Sequence, residues 1–445
     1  MRSGAALERG PPRAFRATLP ALLPPPPTPR AGPLRWLGEL SPAGRRALLA
    51  GFAGWTLDAA DFVLYLLAIP AIRAEFGLDA RGAGLLATVA LLSSAAGGVL
   101  FGRIADRIGR ARALSLTVLV YSFASLGSAT AGSVGQLVAW RTLLGLGLGG
   151  EWSAGAVLVA ESVPAAHRGK AIGAMQSGWA VGYLAAVVAA ALVLPALGWR
   201  WLFALGALPA LLVVWIRRRV EEPPLARAAA GAPRARPADL LRPPLLARTL
   251  LATALSSAVM FGYWGLFTWM PSFFAAPAEQ GGAGLGLVRS TAWLVPMQLG
   301  AFAGYLSFGY AADRFGRRAS FIVYLLAAAA TVTAYGALVR SPALLLALAP
   351  LLGFFGHGYF SLFGAQLAEL FPTGVRATAQ GLCYNAGRAL SAAAPATIGA
   401  LADARGLAGA IGSTAAFFVA GALLVLLLPE TRGTELERVD AELAG

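Results

Sequence analysis

Gly102-Arg103-Ile104-Ala105-Asp106-Arg107-Ile108-Gly109-Arg110 returns 207 residues later as Gly309-Tyr310-Ala311-Ala312-Asp313-Arg314-Phe315-Gly316-Arg317. A second set keeps nearly the same register: Glu161, Pro164 and Arg168 recur as Glu369, Pro372 and Arg376 at an offset of 208. Two separate motifs repeating together show that the chain is built of two related halves, and such a repeat frames every other reading. Each copy of the nine-residue stretch follows a long apolar run.

Those runs recur along the whole chain, each long enough to cross roughly 30 Å of hydrocarbon as a helix. They occupy residues 47–70, 83–102, 113–132, 136–160, 170–194 and 200–216, then 249–274, 289–311, 320–340, 342–367, 377–402 and 408–428. Between the sixth and seventh spans, residues 217–248 are rich in Arg and Pro and read as a linker between halves 47–216 and 249–428. Residues 429–445 are left as a short tail. The expectation is an all-α membrane protein of twelve helices in two pseudo-symmetric halves. A site for a small molecule then belongs near the bilayer midplane, where the halves meet and rock.

Composition agrees. Of 445 residues, 58% are hydrophobic and 13% charged, against the roughly 25% charged that is usual in soluble domains. Mean hydropathy is +0.67, which excludes an ordinary soluble enzyme. The formal charge of +15 raises nucleic-acid binding, but its distribution argues otherwise. With the first span starting inside, 28 of the 36 Arg and Lys fall in cytoplasmic pieces. Arg73, Arg81, Arg200, Arg289, Arg340 and Arg405 fall outside, and Arg141 and Arg388 lie within spans. This positive-inside bias predicts cytoplasmic termini and a lipid bilayer, with no nucleic acid, as the partner of those charges.

Residues 1–46 hold ten prolines and eight arginines and no signal-like apolar stretch, so they read as a disordered cytoplasmic tail; a start assigned too early explains them as well. The single Cys383 and the separated His167 and His357 offer no disulfide and no metal cluster, and no cofactor is expected. His357 reads as packing in a Gly-rich helix and His167 as a loop residue.

The nine-residue motif, present in both expected loops, resembles the loop signature of the major facilitator superfamily, and the likeness covers essentially everything after residue 46. It implies the major facilitator fold and transport by alternating access. Within that superfamily Trp55-Thr56-Leu57-Asp58-Ala59-Ala60-Asp61-Phe62 resembles the first span of proton symporters for organic acids, in the sialate and lactate branch and the aromatic-acid branch. Gly149-Gly150-Glu151-Trp152 and Phe261-Gly262-Tyr263-Trp264-Gly265-Leu266-Phe267 are similar to segments of the same group. In that family the loop contacts are taken to hold the cytoplasmic gate shut.

The candidate machinery follows from charges inside spans, which are costly there and functional by default. Asp58 and Asp61 lie roughly 16 to 21 Å into the first span and share a face, placing two carboxylates where a proton can be loaded and released. Alternatively one of them only bonds a neighbouring helix end. Glu151 is a second proton carrier or the cap of a helix contact beside Trp152. Arg141 needs an anion, which an aspartate of the first span supplies in the unloaded carrier, unless it snorkels to the outer surface. Arg388, with Asn385 on the same face, is the preferred anchor for an organic carboxylate, since a guanidinium fork accepts a carboxylate in two bonds. A structural pair with Asp58 or Asp61 is the other reading. Gln298 and Gln176 offer neutral donors and acceptors, and Tyr263, Trp264 and Phe267 shape a pocket or simply pack.

In the loops, Asp106 and Asp313 with Arg107, Arg110, Arg314 and Arg317 stand at helix ends where a carboxylate pairs with arginine or faces a helix N-terminus. Gly102 and Gly309 belong to the same motif, and Gly109 and Gly316 allow its tight turn. Topology alone would also explain the arginines. The leading expectation is symport of a small organic anion with a proton by a monomer, with sodium left open as the coupling ion. A sugar symporter is the alternative, because Pro429-Glu430-Thr431-Arg432-Gly433 resembles the sugar-porter ending. Neither a nucleophile with its base nor a metal-ligand pair is visible, so an enzyme is not expected; a membrane sensor would normally carry a larger signalling tail.

Overall fold

The computed structural model describes residues 32–444 except 79, 230–236, 276, 278–281, 285 and 338–340. Residues 1–31 of the expected tail lie outside the described residues, as do the side chains of Arg81, Arg289 and Arg340. Residues up to Glu39 form one unit, with a short helix at Arg35–Glu39, and everything from Leu40 onward forms a second.

The second unit is a helical bundle, with no strand among the described residues. Its first span runs Pro42–Phe76, well beyond the apolar core read from sequence, because both ends are capped. Ser41 Oγ accepts from Gly44 N at 3.0 Å, Pro42 occupies the first turn, and Gly77 closes the helix at φ 64°. Residues 42–46, assigned to the tail from their composition, therefore belong to this helix.

The remaining spans of the first half are Ala80–Ile108, Arg110–Ala129, Val134–Ser162, Arg168–Leu197 and the pair Trp199–Leu205 with Pro209–Arg219. The second half repeats the order with Leu245–Phe267 and Met270–Ala275, Gly286–Phe315, Arg317–Ala337, Pro342–Gly358 and Phe360–Leu370, Arg376–Ser391, Ala394–Ser413 and Ala415–Leu427. Ten of these segments are long and apolar enough to cross a membrane by composition alone. Gly286–Phe315 and the polar eleventh span complete a twelve-helix bundle. The eleventh and twelfth spans are joined through a kink at Gly406, φ 73°.

Two of the interruptions fall where backbone can be irregular beside a cavity. Thr268, at the break of the seventh span, and Ala392, at the break of the eleventh, both line a cavity between the halves. The halves meet mainly as second span against eleventh and fifth against eighth. Glycines of the loop motif permit this approach: a Cβ at Gly102 would lie 2.5 Å from Ala377 O, and one at Gly309 the same distance from Gly169 O. Gly109 and Gly316 hold φ of 105° and 101°, turning the chain sharply into the third and ninth spans.

Candidate functional site

At the motif end of the bundle two charge clusters repeat each other across the halves. Asp106 accepts from Ala377 N at 3.1 Å, Thr378 N at 2.8 Å and Thr378 Oγ1 at 2.7 Å, so it caps the eleventh span of the other half. Asp313 does the same for the fifth span, accepting from Gly169 N and Lys170 N at 3.0 and 2.9 Å. Beside each stands a buried glutamate between two arginines. Glu161 accepts from Arg110 at 3.0 and 3.1 Å and from Arg376 at 2.7 Å. Glu369 accepts from Arg317 at 3.2 and 2.9 Å and from Arg168 at 2.9 Å. Each glutamate thus ties an arginine of its own half to one of the opposite half.

The clusters correct the sequence reading in two ways. Arg107 and Arg314 are exposed and stay outside them, Arg314 lying over the Phe315 ring instead, because their helix face turns away from the other half. Glu161, Arg168, Glu369 and Arg376 are central, although the sequence offered them only as repeat markers. A further acid joins each cluster: Glu222 accepts from Arg110 N, Ala111 N and Arg112 N, and Glu430 from Arg317 N and Arg318 N. These carboxylates serve as N-caps for helices whose own cap position is glycine, one after the sixth span and one after the twelfth.

Deeper in the bundle the arrangement loses this symmetry. Arg141 is only 1% exposed, which excludes snorkelling. It approaches Asp61 at 3.8 Å and lies 4.1 Å over the Tyr65 ring. Asp61 also accepts from Ser125. Asp61 and Arg141 therefore form a pair inside the first half. Asp58, one turn earlier, lines a chamber of about 20 Å³ together with Ser94, Trp179, Trp264 and Arg388. The two aspartates share one side of the helix as expected but meet different neighbours, Asp61 the Arg141 of its own half and Asp58 the chamber shared with Arg388.

Glu151 is fully buried, and neither carboxyl oxygen has a hydrogen-bond partner among the described residues. Gly54 provides its room, since a Cβ there would collide with Glu151 Oε1.

Arg388 projects between the halves. Its Nη1 reaches Ser94 Oγ at 3.5 Å, its guanidinium lies 5.3 Å from the Tyr384 ring, and no carboxylate among the described residues comes within 4 Å. It lines the Asp58 chamber and a second one of about 30 Å³, with Trp55, Gln176, Tyr263, Tyr305 and Tyr384. Below that chamber Trp152 and Tyr384 stack across the halves at 3.6 Å, and Trp152 Nε1 donates to Gln176 Oε1 at 3.0 Å. Asn385 is placed elsewhere: its Nδ2 donates to Gly149 O at 3.3 Å and Gly381 O at 3.1 Å, the bare glycine backbone of the fourth span having drawn the amide away from the chambers.

Farther from the motif end opens a much larger cavity of about 590 Å³. Gln298, Tyr263, Trp264 and Phe267 line it, as does His357, whose Nε2 lies 3.2 Å from Tyr263 Oη. His357 is thus a cavity residue rather than packing alone. Phe62, Trp179 and Trp264 stand between the large cavity and the Asp58 chamber, with ring centroids 5.8 to 6.0 Å apart. Trp55, Trp179 and Tyr384 were not singled out from sequence. Tyr384 had a signal, standing four residues before Arg388 on the same helix face.

The sequence profile of the Major Facilitator Superfamily matches residues 50–307 and 283–443. The chain belongs to the major facilitator superfamily. This facilitator is 36% identical to a probable 4-methylmuconolactone transporter of Cupriavidus pinatubonensis, over 91% of this chain and 95% of that one. It is 31% identical to the cis,cis-muconate transport protein of Acinetobacter baylyi, over 86% and 94%. Among solved structures, the proton:xylose symporter XylE bound to 6-bromo-6-deoxy-D-glucose superimposes with a TM-score of 0.75 at 18% identity, covering 90% of this chain and 99% of the other. That likeness shows the shared fold. The facilitator is therefore a multi-pass membrane transporter and not an enzyme.

Proposed function

We propose that this facilitator carries a small organic anion together with a proton, by alternating access. The observation that carries this reading is Arg388: a buried cation between the halves, with no carboxylate within 4 Å among the described residues, facing the chamber that Asp58 lines. A guanidinium held in a low-dielectric site with no carboxylate in direct contact among the described residues accommodates an anion, and its fork suits a carboxylate. Muconate in the name of one relative fits that chemistry, and muconolactone in the name of another is a related small organic compound.

In this reading Asp58 takes the proton at the interface and Glu151 receives it deeper in the first half, while Arg141 and Asp61 hold that half in shape. Tyr263 and Trp264 border the anion, with Trp264 swinging aside to admit it. The bundle lies in the cytoplasmic membrane with both termini inside, so the paired clusters of Asp106, Arg110, Glu161, Asp313, Arg317 and Glu369 close the cytoplasmic end. One chain supplies both halves of the path, and the monomer is the working unit.

The test is uptake into proteoliposomes of labelled monocarboxylates, aromatic acids, sialic acid and hexoses, with and without an inward proton gradient, for wild type and Arg388→Ala. Accumulation of one acid that depends on the gradient and on Arg388 is expected. Movement of a neutral sugar alone, or normal transport by Arg388→Ala, overturns the proposal.

A further inference from the structure

The interior of the first half buries more acid than its contacts use. Asp61 is engaged by Ser125 and Arg141. Glu151, on the fourth span, bonds to no described residue, Asp58 included. A proton that arrives at Asp58 therefore has no direct hydrogen bond along which to reach Glu151, and proton transfer needs heavy atoms within roughly 2.6 to 3.2 Å of one another.

The third span supplies hydroxyls beside these acids. Ser115, Thr117 and Ser128 bond back to carbonyls of their own helix at 2.9, 2.8 and 2.9 Å. Ser125 is committed to Asp61 and to Phe203 O. The hydroxyls of Tyr121 and Ser122 have no hydrogen-bond partner among the described residues, and a polar group buried in that way is costly. Tyr121 is wholly buried, in one cluster with Leu114, Val118, Leu144 and Leu148. The fourth span fixes its place by coming unusually near: a Cβ at Gly147 would lie 2.9 Å from Tyr121 N. Glu151 acts most strongly on the Tyr121 hydroxyl, and Asp58 and Asp61 act on it as well. The phenol thus stands among three acids, two on the first span and one on the fourth. Of the cations near them, Arg141 is turned to Asp61, and Arg388 on the eleventh span acts on both Asp58 and Glu151.

We propose that the Tyr121 hydroxyl is the bridge by which a proton passes between Asp58 and Glu151. The step is concerted: the Asp58 O–H bond breaks as its proton joins the phenol oxygen, and the phenol O–H bond breaks as that proton joins a Glu151 oxygen. Tyr121 is neutral before and after, since a hydroxyl accepts and donates at once. The negative charge moves from Glu151 to Asp58, which shares its chamber with Arg388, and no phenolate forms in the apolar interior. This rests on the proton-coupled reading above and adds the residue that connects its two proton sites.

The experiment uses the full chain in lipid nanodiscs and needs no substrate. The infrared C=O band of the protonated Glu151 carboxyl is identified as the band that Glu151→Gln removes, and its shift is timed after a switch to heavy water, which reports proton exchange at that carboxyl. Tyr121→Phe is expected to slow the shift by at least about 100-fold, the lower end of what a positioned proton-transfer group contributes. Its unfolding midpoint should not fall, because the lost hydroxyl has no bond to give up. Ser122→Ala, which removes the neighbouring unpartnered hydroxyl, is expected to exchange like wild type. Asp58→Asn closes the other end of the bridge, is expected to slow the shift as Tyr121→Phe does, and serves if that variant does not fold. The proposal is overturned if wild type shows no such band, if Tyr121→Phe or Asp58→Asn exchanges at the wild-type rate, or if Ser122→Ala slows exchange as much as Tyr121→Phe. Slow exchange in Tyr121→Phe together with wild-type transport that ignores the proton gradient leaves the bridge standing and removes proton symport.

Discussion

The motif end and the centre of the bundle bury charge in opposite ways. At the motif end every central carboxylate is shared: Glu161 and Glu369 each join two arginines, and Asp106 and Asp313 each cap a helix of the other half. At the centre the charges are left short. Glu151 lacks a hydrogen-bond partner, Arg388 lacks an anion within 4 Å, and Asp61 Oδ2 lacks a hydrogen bond, all among the described residues. Buried charge that is fully paired holds two surfaces together, and buried charge that is under-paired is poised to take a ligand or a proton.

The largest effect should come from breaking a shared glutamate. Glu369→Ala leaves Arg168 and Arg317 buried without their common anion and should destabilise the protein by about 3 to 5 kcal/mol, measured as a shift in the denaturant midpoint in detergent. A wild-type midpoint in that variant would show that the cluster contributes little to holding the halves. Next, Arg388→Ala should lower the kcat/KM of anion uptake by about 100-fold, two charge-assisted bonds being lost, while the unfolding midpoint hardly moves. Arg388→Lys should recover only part, since an ammonium does not offer the planar fork.

Asp58→Asn sharpens the contrast within the centre. Gradient-driven accumulation should disappear while counterflow exchange of labelled substrate persists, because a fixed neutral side chain still permits rocking but carries no proton. If accumulation under an acidic exterior survives, Asp58 is not the proton site. The smallest stability effect is expected for Glu151→Gln, which exchanges a carboxyl without hydrogen-bond partners among the described residues for an amide of the same shape; its midpoint should stay within about 1 kcal/mol of wild type, with the pH profile of uptake altered. Asp61→Asn should cost more than that in the same unfolding measurement, as it strips Arg141 of its counter-charge.

Much of the bundle was legible because span length, apolar continuity and a doubled loop motif are local signals. The span ends were less so: capping by Ser41 and Gly77 carried the first helix well past its apolar core. Residues 42–46 look like tail in composition and are helix in fact. At the site, single charges in apolar runs pointed to Asp58, Arg141 and Arg388, because a lone charge is conspicuous there. What sequence did not reveal was direction. Asp58 and Asp61 are three residues apart yet meet different neighbours, and Asn385 turns to the Gly149 backbone. Those outcomes depend on helix rotation and on which neighbour offers an accessible carbonyl, neither of which is written within one span.

Glu222 and Glu430 stand 208 residues apart, the spacing of Glu161 and Glu369, and each caps the helix that follows its own loop motif. The internal repeat therefore reaches past the sixth helix into residues 217–248, and its last matching residue in each half serves to start a helix two loops back along the chain.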